Sequence, residues 1–193
     1  IYTSTDTTAG EKERGTLETI LTFPIRRKEL IFGKYLAISI SGIVTLLIGV
    51  FLSILSLYYV KNSFSIYDNV IFNINTITIL LTILILLFYT LFISGLCITI
   101  ASFTKSFKEA QSALTPISLV TCIPMFLEML NINISGVLSF IPIINHTIVI
   151  NNILTNSINI NNILITIISS IIYIIVLLLF INKMYKSEKI LFN

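Results

Sequence analysis

The chain has 193 residues, of which 55% are hydrophobic and only 11% charged, and its formal net charge is +3. That balance excludes a soluble globular domain, and so little charge leaves no basic surface for nucleic acid. Uncharged runs occupy residues 35–60, 69–104, 110–127 and 131–182. Each approaches or exceeds the roughly 20 residues that cross a bilayer at about 1.5 Å per residue, so the expected fold class is an all-α integral membrane protein.

Residues 9–34 form a polar segment ahead of the first long run. Leu17, Ile20 and Leu21 recur at helical spacing, with Glu11, Lys12, Glu13, Arg14 and Glu18 around them, which predicts an amphipathic helix at a membrane surface. Glu11 and Glu13 suit the positive pole at its start, and Pro24 ends it. Arg26, Arg27, Lys28 and Lys34 then suit an anionic cytoplasmic leaflet. A helix that only bound lipid would be basic, whereas this one is rich in Glu, which favours contact with a soluble protein.

The runs then predict spans of about 35–59, 77–103, 110–130 and 163–181. The basic residues orient them: Lys12, Arg14, Arg26, Arg27, Lys28 and Lys34 precede the first span, Lys105 and Lys108 follow the second, and Lys183, Lys186 and Lys189 follow the last. Four crossings put all of these on the cytoplasmic side and only Lys61 outside. A fifth crossing through residues 134–154 would send the basic tail outward. Pro142 leaves two halves there, each too short to span, so an outer re-entrant hairpin is expected instead. Pro116 and Pro124 predict a kink in the third span. The organisation is then a cytoplasmic segment at 9–34, a transmembrane bundle at 35–182 and a cytoplasmic basic tail at 183–193.

No ATP-binding loop is present, because Gly33-Lys34 is followed by Tyr35 and not Ser or Thr. His146 is the only histidine, which excludes a zinc site built on several imidazoles, and Cys97 and Cys122 lie inside apolar runs where they read as packing residues. No catalytic, metal or cofactor site is therefore assigned to the chain. Two alternatives stay open: a membrane-embedded hydrolase using Glu128 and His146 across the outer face, and a non-transporting scaffold with a docking helix. Glu128 and Asp68 also stand where they would draw a cation to an outer mouth. The hydroxyl residues of the spans, such as Thr45, Thr90 and Ser94, read first as helix-packing residues.

Residues 6–18, Asp-Thr-Thr-Ala-Gly-Glu-Lys-Glu-Arg-Gly-Thr-Leu-Glu, are followed by Phe-Pro-Ile-Arg-Arg-Lys-Glu-Leu at 23–30 and Gly33-Lys34. This pattern resembles the cytoplasmic signature of permease subunits of type-2 ABC exporters, the ABC-2 family, and within it the branch that includes bacterial sodium-efflux permeases. Residues 105–111 with Pro116, and residues 141–145, extend the resemblance. The resemblance implies a coupling helix at about 9–21 that docks on a separate ABC ATPase through Glu11, Arg14, Gly15 and Glu18, with residues 1–8 ending the preceding span. It also implies that ATP and Mg act on that partner, that a second permease subunit completes a homo- or heterodimer in the cell membrane, and that substrate, sodium among the candidates, moves outward. The family pattern has six spans, so this chain is expected to be the C-terminal portion of a permease.

Overall fold

A computed structural model describes residues 1–24, 26–63, 75–129, 141–155 and 157–186. Among them every regular element is helical, as a chain in lipid requires when its backbone has no water to bond. Near the start lie α1 (Tyr2–Thr5), a π-helical turn (Asp6–Gly10), α2 (Glu11–Glu13) and α3 (Thr16–Thr22). The long elements are α4 (Arg27–Ser63), α5 (Thr76–Ser102), α6 (Phe107–Met129), α7 (Pro142–Leu154) and α8 (Ile160–Lys186).

Three of these are long and apolar enough to cross a membrane, over Arg27–Ser56, Thr76–Ser102 and Ile160–Tyr185. They match the first, second and last predicted spans. The third predicted span falls on α6, a helix that runs through both Pro116 and Pro124 and is not one of those three. Its Ser, Thr and Gln residues, its prolines and the Lys108 and Glu109 of its first turn make it less apolar than the other three.

Two local details differ from the sequence expectation. Pro142 serves as a helix start and not only as a break: it opens α7, where a residue without an N–H costs no helical bond and its fixed φ suits the first turn. The expected hairpin at 134–154 is described only from residue 141 on, and residues 130–140 lie outside the described residues, as do Asp68 and Lys189. The second difference is at residues 9–21, which form two helical pieces and not one, because Gly15 takes a left-handed φ of 69° between them. Phe23 is extended at ψ 147°, as the residue before a proline must be, and this ends α3 at Thr22.

α5 is the hub, packing against α4, α6, α7 and α8. Three apolar clusters surround it. Ile98 packs with Ile31, Tyr35 and Ile38 of α4 and with Ile181 and Tyr185 of α8. Cys97 and Ala101 pack with Ala9, Ala110 and Leu114, and Ile85 packs with Val149, Ile153 and Ile163. Gly95 lets α4, α5 and α8 converge: a Cβ there would lie 3.3 Å from Leu177 and 3.8 Å from Tyr35. The span hydroxyls bond to their own helices, as Thr45 does to the Ser41 carbonyl, Thr90 to Leu87, Ser94 to Thr90 and Thr99 to Gly95. These hydroxyls satisfy themselves inside the helix and bond to no neighbouring one, so they enter the packing of the helices as small side chains.

Candidate functional site

The charged segment sits against the ends of the long helices. Glu11 pairs with Lys34 of α4 at 2.5 Å, and the same ammonium donates to the Thr7 carbonyl at 2.7 Å. Lys34 is only 6% exposed and the Glu11 side chain 22%, so this is a nearly buried pair with an extra hydrogen bond to complete it. Lys12 donates to the Ser102 carbonyl at 2.5 Å and the Thr104 carbonyl at 3.3 Å, where α5 leaves its last acceptors open. Glu13 accepts from the first amide of α6, Phe107 N–H, at 2.6 Å.

The turn between α5 and α6 is braced by its own residues as well. Ser106 Oγ accepts from the Glu109 amide at 3.2 Å, and Glu109 accepts from the Lys105 amide at 2.9 Å, a close variant of a capping box. Tyr2 stacks edge-on against Phe107 with ring centroids 5.5 Å apart. At the start of α4, Arg27 donates to the Tyr185 carbonyl at 3.0 Å near the end of α8. The start of α4, the end of α5, the start of α6 and the end of α8 thus meet at one end of the bundle, and the basic side chains Lys12, Arg27 and Lys34 meet there with them.

Of the residues the sequence pointed to for docking, Glu11 is engaged with Lys34, while Arg14 is outward and 63% exposed, paired with Asp6 at 2.5 Å. Gly15 is exposed at the bend between α2 and α3. Glu18 lies in α3; its side chain is outside the described residues. Leu17 is buried, Ile20 half-buried and Thr16, Thr19 and Thr22 exposed, so α3 turns its apolar face inward and a polar face out. Burial lowers the pKa of Lys12, the nearby Lys34 cation lowers it further, and Glu109 partly offsets both.

Lys12 and Glu13 were legible only as charges of the polar face. Their targets lie 90 and 94 residues away, and no spacing in the sequence marks such a pairing. A second polar cluster was also missed. His146 Nδ1 lies 2.5 Å from the Pro142 carbonyl and Nε2 lies 3.1 Å from Ser170 Oγ, while Asn145 donates to Thr166 Oγ1 at 2.9 Å. A carbonyl only accepts, so the hydrogen belongs on Nδ1, and the single hydroxyl hydrogen of Ser170 lies between the Thr166 carbonyl at 2.5 Å and His146 Nε2. His146 and Ser170 stand at the separation of a base and a nucleophile, but they are 1% and 0% exposed. No substrate reaches them; they tie α7 to α8. Both imidazole nitrogens are thereby occupied, and the side chain of Glu128 is outside the described residues, so nothing in this geometry assembles the hydrolase alternative.

Residues 1–133, more than half of the chain, match the family described as ABC-2 family transporter protein. The chain belongs to the ABC-2 family. The match takes in the charged segment and α4, α5 and α6, and leaves α7 and α8 outside it. The ABC transporter permease protein NatB of Bacillus subtilis (strain 168) is 30% identical to this ABC-2 chain over 125 residues, which is 63% of the chain and 31% of NatB. The chain therefore aligns with about a third of that relative's length. No solved structure matches it.

Proposed function

We propose that the chain is part of the permease of an ABC exporter, in which the segment of residues 9–21 docks on a separate ATPase through its outward face from Arg14 onward, and the helices carry substrate outward. The observation that carries this reading is the seating of the charged segment on the ends of α4, α5 and α6, inside the region matched by the family. A segment so placed turns an external push into a shift of three membrane helices at once. ATP, with Mg, would be bound and hydrolysed by the partner, and the exposed faces of Arg14, Gly15, Thr16 and Thr19 supply the docking surface.

The convergence of four helix ends with the basic residues supports four crossings, with this end in the cytoplasm. α4 and α5 also enclose a cleft with α1, about 460 Å³ in volume, whose walls include Ser41, Thr45, Tyr89, Thr90 and Ser94. Thr45, Thr90 and Ser94 donate to carbonyls of their own helices, so their oxygens face outward chiefly as acceptors. That chemistry suits a cation or a donor-bearing cargo, and sodium is the first to test. A second permease subunit, the same or different, would complete the pathway.

The test is efflux from vesicles holding the full-length permease and its ATPase, comparing sodium with organic cations and peptides. ATP-dependent efflux is expected, and absence of ATP-dependent movement of every cargo would overturn the reading. Docking has its own test, Arg14→Glu combined with Glu18→Lys, which leaves the Glu11–Lys34 pair in place. Loss of the co-purifying ATPase is expected; an unchanged complex would place the docking surface elsewhere.

A further inference from the structure

The segment meets the membrane helices through two adjacent residues of opposite sign. Lys12 lies on the carbonyls that end α5, and Glu13 lies on the first amide of α6. A helix presents partial negative charge at its C-terminus and partial positive charge at its N-terminus, so each side chain faces the pole that attracts it. Because α5 and α6 are antiparallel neighbours joined by a four-residue turn, their opposite poles lie side by side, and a Lys-Glu dipeptide is matched to both in that order only.

We propose that Lys12 and Glu13 are the positioning residues that carry displacement of the docking segment to the α5–α6 turn, gripping it from both poles so that segment and turn move as one body. This rests on the permease reading above. The turn suits such a handle because Ser106 and Glu109 brace it internally and Ala9 packs on Cys97, Ala101, Ala110 and Leu114 just beneath it. Arg14 plays no part in the grip, since its partner Asp6 lies in the π-helical turn and not on α5 or α6. Glu11 and Lys34 hold the segment to α4 instead. Lys12 and Glu13 therefore supply the polar path by which displacement reaches the hub helix α5 and the helix α6, beside the apolar contact of Ala9.

Two measurements on the full-length permease test this. In proteoliposomes with its ATPase, the double exchange Lys12→Glu with Glu13→Lys is expected to leave ATPase binding and ATP hydrolysis intact. Transport per ATP should fall about tenfold, the size of an ordinary coupling free energy. Lys12→Arg and Glu13→Gln keep a donor and an acceptor in place and should each transport at the wild-type ratio. An unchanged ratio in the double exchange overturns the proposal, and so does loss of ATPase binding, which would make these residues docking contacts.

The second measurement needs no ATPase. Spin labels on Thr16→Cys and Lys105→Cys, with Cys97 and Cys122 replaced by Ser, should report one narrow distance that broadens in the double exchange. A distance unaffected by the exchange overturns the grip. If the wild-type permease binds no ATPase while the double exchange still broadens the distance, the permease reading fails and the grip itself stands.

Discussion

Two of the polar ties between helices among the described residues differ in kind. The one formed by His146, Ser170, Asn145 and Thr166 is neutral, lies wholly inside α7 and α8, and is sealed from solvent. The one formed by Glu11, Lys12, Glu13 and Lys34 is ionic, reaches across four elements, and is only partly buried. Neutral bonds sealed in a low-dielectric interior resist opening, because each released group is left without a partner. Ionic contacts at a margin can exchange for water or another protein, which is what a segment that must respond to a partner requires.

Lys34→Ala should be the most damaging single change, because it strands the Glu11 carboxylate and the Thr7 carbonyl together. A loss of about 3 kcal/mol is expected in chemical unfolding of the permease in micelles, with Glu11→Gln in the same background restoring part of it. His146→Leu should follow at about 2 kcal/mol, since it removes both ring bonds but fills most of the space. It should leave the ATP-to-transport ratio unchanged, and a changed ratio would erase the distinction between the two ties. Gly15→Ala should cost about 1 kcal/mol for a left-handed alanine, read as faster amide exchange in α3 and not as global unfolding. Arg14→Ala should cost under about 1 kcal/mol, as exposed pairs do.

The smallest effect concerns pH. Because the Lys12 pKa is lowered, the released segment binds more protons than the seated one between that lowered value and the ordinary 10.5 of lysine. Seating should therefore strengthen as pH rises through this window. Amide exchange at Phe107 should slow relative to intrinsic rates between neutral and alkaline pH, and Lys12→Arg should abolish that slowing, since arginine stays charged throughout.

Much of the molecule was legible without coordinates. Uncharged runs located α5, α6 and α8 to within about five residues, because roughly 20 apolar residues have few other uses, whereas α4 begins at Arg27, inside the charged segment. The placement of α7 was less so. A proline reads the same in sequence whether it breaks a helix or opens one, and Pro142 opens one. Glycine hides similar information: nothing around Gly15 announces a left-handed bend, while the stripe Leu17, Ile20, Leu21 invites one helix straight through it.

For the candidate site, the sequence by itself determined that a charged segment lies beside membrane helices, that it carries both signs, and that no ATP-binding loop accompanies it. Those properties are local and follow from residue type and spacing. Only the tertiary structure decided which charges face outward and which face the bundle. Arg14 stays at the surface, Glu11 turns to Lys34, and Lys12 and Glu13 divide between two helix poles. The physical reason is that a side chain's charge is written in the sequence, whereas the field it meets is made by open backbone groups about ninety residues away, which exist as poles only once α5 and α6 have formed and packed side by side.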